Sequence, residues 1–252
     1  MAKQIYTASA RVENNVGTLF LHPFTPRERG SSNILNQTVP WPIGGTITSF
    51  EAEIGTALAG TDTELTAAPL LVALFINESE VAGSERTLST FQSSSTVALS
   101  ETITAGDRIS IRLRETTAGQ TWRGFVNVRF IFDSPTRGKV IGGSTGEQLL
   151  VQGFHMFPSN SSVGSGTLVQ SLVPVTSSVS RLNVYRNTTS GISEYFLQRN
   201  FSDVVQSVVV SGVKQAAATQ DPGGFAQGDS LTMRKDSGDD ENISWSALVR
   251  SV

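Results

Sequence analysis

The pair Gly106-Asp107 returns as Gly228-Asp229, 122 residues further on, and each copy opens an alternating apolar run that leads to a tryptophan. The first run is Ile109, Ile111, Leu113 and then Trp122; the second is Leu231, Met233 and then Trp245, an offset of 123 residues. Self-similarity at so steady an offset is the mark of one supersecondary unit used twice. Upstream, Thr38-Val39-Pro40 and the run Ile47, Phe50, Ala52, Ile54 parallel Leu172-Val173-Pro174 and the run Val179, Leu182, Val184, with an offset of 134 at the prolines. The chain therefore reads as two tandem modules. The first spans residues 1–135 with an N-terminal arm over about 1–24, a glycine-rich linker covers 136–146, and the second module spans 147–252. The extra residues of the first copy are expected in an exposed loop at 58–68.

Strand signals follow period two wherever they are clear: Phe50, Ala52 and Ile54 alternate with Glu51 and Glu53, and Val126, Val128, Phe130 and Phe132 alternate with more polar neighbours. Leu70 to Ile76 is a continuous apolar run bounded by Pro69 and Asn77, which suits a core strand. No segment carries a sustained 3.6-residue apolar stripe. Turn residues punctuate the runs at short intervals, so the expected class is all-β, two antiparallel β-sandwich or jelly-roll modules. Glycine supplies the positive φ of a tight turn and the next aspartate accepts backbone N–H groups, so Gly106, Asp107, Gly228 and Asp229 are read as structural turns. Trp122 and Trp245 are read as core aromatics that close one end of each module.

Composition narrows the function classes. There are no cysteines, which removes thiol chemistry, cysteine-based zinc sites and disulfides together. Charged residues are 16% of the chain and the net charge is −3, so the surface is rich in hydroxyls and lacks the basic cluster that phosphate backbones require. Nucleic acid is not an expected partner. The start Met1-Ala2-Lys3-Gln4-Ile5-Tyr6 lacks a leader's apolar run and no stretch is long enough to span a bilayer as a helix, so no membrane is expected either. Arg108, Arg112 and Arg114 alternate with apolar residues and are read as the outer face of an amphipathic strand.

Candidate chemistry is sparse. His22 and His155 are the only histidines, and they sit in the comparable contexts Leu21-His22-Pro23-Phe24 and Phe154-His155-Met156-Phe157, where a shared structural role is expected. Gly142-Gly143-Ser144-Thr145-Gly146 fits the pattern of a nucleophile elbow, but it falls in the linker and is read as a spacer. The cluster from Asp236 to Glu241 is read as an acidic hairpin tip in preference to a calcium site. Six Asn-x-Ser/Thr sequons begin at Asn36, Asn77, Asn160, Asn187, Asn200 and Asn242, and no glycan is assigned to them. No cofactor, metal site or catalytic constellation is expected, and the chain is read as non-enzymatic. Trp41, between Pro40 and Pro42, is the candidate exposed aromatic for a glycan contact.

The order Ile103, Gly106-Asp107, Ile109, Ile111, a polar hairpin and the final Phe130-Ile131-Phe132, with its second copy Phe225, Gly228-Asp229, Leu231, Met233, resembles the closing hairpin of jelly-roll modules of the C1q and tumour-necrosis-factor type. The whole chain is similar to bacteriophage virion structural proteins built from such modules. That resemblance implies a place in the virion after assembly in the host cytoplasm, a homotrimer, and contacts with capsid or other virion proteins. Decoration of a capsid is the first role it implies, and a tail or fibre protein that recognises a receptor or host glycan is the alternative. Part of the arm and the 58–68 loop are the expected contact segments, the alternative for the arm being simply the first strand of the first module.

Overall fold

The computed structural model describes residues 2–14, 17–24, 26–28, 32–55, 69–89, 94–116, 122–145, 155–156, 163–164, 171–172, 176–219 and 224–251. The first module contributes β1 (Ala2–Asn14), β2 (Thr18–Leu21), β3 (Pro26–Glu28), β4 (Val39–Pro40) and β5 (Gly45–Gly55). It continues with β6 (Leu70–Ile76), β7 (Ser79–Glu80), β8 (Arg86–Leu88), β9 (Ser94–Ile103), β10 (Arg108–Glu115) and β11 (Trp122–Ser134). Sheet I has the order β3-β1-β11-β5-β9; sheet II has β2-β10-β6-β7, with β4 beside β10 and β8 beside β6.

The second module contributes β12 (Lys139–Ser144), β13 (His155–Met156), β14 (Val163–Gly164), β15 (Ser171–Leu172) and β16 (Ser177–Arg186). It ends with β17 (Ile192–Arg199), β18 (Asp203–Ser211), β19 (Gln215–Ala218), β20 (Gly224–Phe225), β21 (Ser230–Ser237) and β22 (Ile243–Ser251). Sheet III has the order β12-β22-β16-β19 with β20 beside β16, and sheet IV has β14-β13-β21-β17-β18 with β15 beside β21. In both modules the first and last strands pair side by side in one sheet, and the Gly-Asp strand lies in the other. The result is an all-β, predominantly antiparallel pair of sandwiches with one strand order used twice. Among the described residues the exception to antiparallel pairing is β3, which runs parallel to β1.

Period-two burial builds each core. Val126, Val128, Phe130 and Phe132 point inward from β11 against Phe50, Ala52 and Ile54 of β5 and Tyr6, Ala8 and Ala10 of β1. Trp245, Leu182, Val184, Tyr195, Leu197 and Met233 form the second core. Two expectations change here. Of the expected arm, Ala2–Asn14 is the first strand of the module, since β1 is hydrogen-bonded between β3 and β11. Residues 139–144 are not a spacer, because β12 pairs along β22 from Lys139 to Ser144. Gly142 is needed for space: a Cβ there would lie 2.8 Å from the Phe24 ring and 2.4 Å from the Trp245 carbonyl oxygen. The loop expected at 58–68 lies outside the described residues.

The ladders also set the equivalences between the modules. Ile103 pairs with Gly45 and Phe225 with Ser177, each partner standing three residues before its Gly-Asp turn. On that frame Thr46↔Asp133 matches Ser178↔Arg250, and Phe50↔Phe130 matches Leu182↔Ala247. Trp245, opposite Val184, is therefore the counterpart of Val128, opposite Ala52. Trp122 instead begins a strand of 13 residues, against 9 in β22, and pairs with Asn14 at the far end of β1. The tryptophans are not equivalent, and the Trp122 side chain lies outside the described residues.

Candidate interaction surfaces

Each Gly-Asp turn is one half of a polar clamp. Gly106 and Gly228 take φ of +104° and +90°. Asp107 Oδ2 accepts the Thr104 N–H at 2.7 Å and Asp229 Oδ2 accepts the Ala226 N–H at 2.7 Å. The other half is an asparagine across the sandwich end: Asn77 Nδ2 donates to Asp107 Oδ1 and Asn200 Nδ2 to Asp229 Oδ1, both at 2.8 Å. The same asparagines accept the N–H of Arg108 and of Ser230 on Oδ1, at 3.0 and 2.9 Å. Asn77-Glu78 and Asn200-Phe201 all have positive φ, the geometry of a two-residue hairpin turn. The Asn200 amide, then the Ala226 N–H, hold the Asp229 carboxyl below its ordinary range. These four residues form fasteners, and asparagine is suited to the task because its short side chain tolerates the left-handed region and bonds locally. We expect Asn77→Ala and Asn200→Ala each to cost about 1–2 kcal/mol, read as a shift in urea midpoint.

The two modules meet in a seam. The outward face of sheet III is laid against the segment 36–41 and Phe24 of the first module. Ser144 Oγ donates to the Asn36 carbonyl at 2.5 Å, Ser244 Oγ to that of Thr38, and Ser246 Oγ to that of Pro40. Asn183 Nδ2 donates to the Trp41 carbonyl at 3.1 Å, and Gln215 Nε2 to that of Gly106 at 3.0 Å. Every second carbonyl of the segment thus meets one hydroxyl, as period-two geometry dictates. Val140 and Leu248, outward on sheet III, join the core of the first module. Tyr6 Oη accepts the Val140 N–H at 3.1 Å, while Arg108 stands 5.2 Å over the Tyr185 ring.

Trp41 is at the centre of that seam and is 0% exposed. Its ring meets Tyr6 edge-on at 4.8 Å, stacks on Phe24 at 5.9 Å and abuts Phe132 at 5.5 Å. The glycan contact expected of Trp41 is corrected: flanking prolines suggest an exposed bend, but the ring is enclosed by Tyr6, Phe24, Phe130 and Phe132 of its own module.

The remaining candidates are spent on structure. His22 is fully buried, its Nδ1 accepts the Phe24 N–H at 3.2 Å, and burial lowers its pKa to about 3. The unfolded chain takes up this proton below pH 6.5 and the folded chain does not until about pH 3, so stability is intact above 6.5 and falls as pH falls through that window. Between pH 6.5 and 4 the loss should be roughly 3 kcal/mol, and His22→Gln should flatten it in acid denaturation curves. His155 is not its counterpart: it pairs with Arg234 as Phe20 pairs with Arg112 on the matching strand, which displaces the two histidines by two positions.

Arg108, Arg112 and Arg114 do lie on the outer face of β10, and they are paired there with Glu78, Glu80 and Glu85 at 2.7–3.3 Å. The acidic hairpin divides. Asp239 and Asp240 are exposed, but Glu241 turns inward to Arg186 at 3.5 Å and Lys235 at 3.6 Å and accepts the Tyr195 hydroxyl. Burial pushes the Lys235 ammonium down and Glu241 pulls it back. Among the described residues no three His, Asp or Glu side chains gather as metal ligands.

Exposed large apolar side chains concentrate in two places. Val204 and Val209 stand on β18, the last strand of sheet IV among the described residues, with Ile192 on β17 and Val213 just past β18, and Ile5, 60% exposed, stands on the outward face of sheet I. Sequence reasoning missed both the asparagine half of the clamps and the seam. The 123-residue spacing of Asn77 and Asn200 was a usable signal for the former.

No known family and no curated protein matches the chain. Among solved structures, the chain aligns over 98% of its length with 71% of a chain from infectious bursal disease virus strain Gx, at 8% identity and a TM-score of 0.21. A chain of the T13 particle of that virus matches at 11% identity and TM-score 0.20, covering 98% of this chain and 69% of that one. The VP2 subviral particle of the same virus matches at 10% identity and TM-score 0.21, covering 99% of this chain and 67% of that one. Likenesses at that level leave the function to be argued from the chain itself.

Proposed function

We propose that this chain is a non-enzymatic structural protein of a bacteriophage virion, a capsid decoration or cement protein that acts as a homotrimer through protein–protein contacts. The observation that carries this reading is the seam. Recognition of one sandwich by another, through a sheet face, a row of hydroxyls and an apolar pair, is the interaction this fold is built to make. The titratable groups are committed elsewhere: His22 is buried, Asp107 and Asp229 tie turns, and Glu241 balances buried cations. A hydroxyl-rich surface with exposed valines along β18 suits adhesion to a shell, since specific assemblies need on the order of 1,000 Å² of complementary surface. The tail or receptor-binding alternative has lost the aromatic platform on which it rested, because Trp41 is covered.

The test is sedimentation of purified chain with the virions, empty shells and tails produced alongside it. Saturable co-sedimentation with shells at a fixed ratio is the expected result. Association with tails alone would move the protein to the tail, and association with neither would end the virion reading.

A further inference from the structure

The face that sheet III buries in the seam has a counterpart on sheet I, and that counterpart is open. The equivalences follow from the ladders: Ile5↔Ile131 corresponds to Val140↔Leu248, Thr7↔Arg129 to Gly142↔Ser246, and Ser9↔Asn127 to Ser144↔Ser244. Glu51 and Glu53 likewise occupy the places of Asn183 and Tyr185. Val140 and Leu248 are 1% and 2% exposed beneath the first module, whereas Ile5 is 60% exposed. Where the segment 36–41 fills the second module's face, the first module has a concavity of about 260 Å³ lined by Thr7, Glu51, Glu53, Asn127, Val128 and Arg129.

We propose that this face of sheet I is the docking site for a second copy of the chain, entered by the β15 side of the partner's second module. That side is the counterpart of the segment already seated in the seam: β15 pairs with β21 through Ser171↔Leu231 as β4 pairs with β10 through Val39↔Ile109. The open face keeps the chemistry the seam uses. The apolar pair is present as Ile5 and Ile131. Asn127 and Arg129 place hydrogen-bond donors where Ser244 and Ser246 donate to strand carbonyls. Ser9 already donates its one hydroxyl proton to Asn127 Oδ1 at 2.7 Å, so the amide N–H groups of Asn127 are the donors this pair offers. The face differs from the seam in charge, since Arg129 is bonded to Glu51 and Glu53 replaces a tyrosine. The contact between copies is therefore looser and more salt-dependent than the covalently joined seam.

Such a contact is head-to-tail: each copy offers one face and one edge. Repetition gives a ring when the rotation closes and a filament when it does not. This inference rests on the homo-oligomer part of the proposed function. A ring of three copies would carry six modules, each seated on the next.

The test is the mass of Ile5→Asp against the wild type by light scattering over a concentration series, alone and mixed. Ile5 is exposed in the single chain, so the substitution leaves the fold intact, which circular dichroism checks. The wild type is expected to form multiples of 26.9 kDa, and Ile5→Asp to raise the concentration of half-assembly at least tenfold. Mixed with wild type, Ile5→Asp should cap assemblies and lower their mean mass, because it keeps its own edge. A variant that assembles like wild type would overturn the proposal, and so would one that is monomeric yet leaves wild-type assemblies unchanged, the behaviour of a twofold face-to-face contact. If Ile5→Asp assembles normally but the protein still sediments with shells, the docking face fails and the virion reading stands. If the variant behaves as expected and shells are ignored, the reverse holds.

Discussion

Glu241→Ala is expected to destabilise the folded chain by about 3–5 kcal/mol, among the largest effects of any single substitution outside the apolar cores. The carboxylate lies between Arg186 and Lys235, whose side chains are both 0% exposed, and it also accepts the Tyr195 hydroxyl. Removing it leaves the buried Arg186 and Lys235 with only the exposed Asp239 and Asp240 near Lys235 to offset their charge, a worse state than either a complete cluster or an apolar one. Arg186 retains carbonyl partners at Val213 and Gly191, both at 3.0 Å, but these hold its geometry without balancing its charge. Lys235→Met should cost much less, because it leaves a balanced Arg186–Glu241 pair. Urea unfolding of the two variants checks the contrast: a Lys235→Met loss as large as that of Glu241→Ala would show that packing, and not charge balance, governs this end of the second module.

Trp41→Ala is expected to cost about 3–5 kcal/mol as well, through a different term. The ring is the hub of an aromatic cluster with Tyr6, Phe24, Phe130 and Phe132, and deleting it leaves a cavity that rigid sheet backbones cannot close. Because the same core includes Val140 and Leu248 from the second module, the loss should loosen the seam along with the first sandwich. Probes in each module should report one shared transition in the wild type, and a separated, earlier first-module transition in Trp41→Ala. Sugar titration of the wild type should leave Trp41 emission unchanged, since the ring presents no surface to a ligand.

How far these features could be read from the chain depends on their range. Period-two alternation and the Gly-Asp turns are local, and they marked both sandwiches and the inner faces of β5, β11, β16 and β21. The asparagine partners of those turns stand 30 and 29 residues away in sequence, so only the folded hairpins bring them together. The tryptophan spacing misled because β11 and β22 differ in length, and a shared residue type at the strand's start hid a shift of register. Gly142 and Gly143 resemble a spacer in sequence; the ring of Phe24 above Gly142 explains at least the first of them. Pro40-Trp41-Pro42 reads as an exposed bend because the rings that enclose Trp41, those of Tyr6, Phe24, Phe130 and Phe132, come from strands distant in sequence, and no local pattern encodes that.

The central claim is that the chain works by docking one sandwich on another, within itself and between copies. The most direct measurement is the solution mass of the purified wild-type chain by multi-angle light scattering across a broad concentration range. The account predicts a discrete species at an integer multiple of 26.9 kDa, with three copies the expected number, giving way to smaller species as salt is raised. A single-chain mass of 26.9 kDa at every concentration and salt would contradict it.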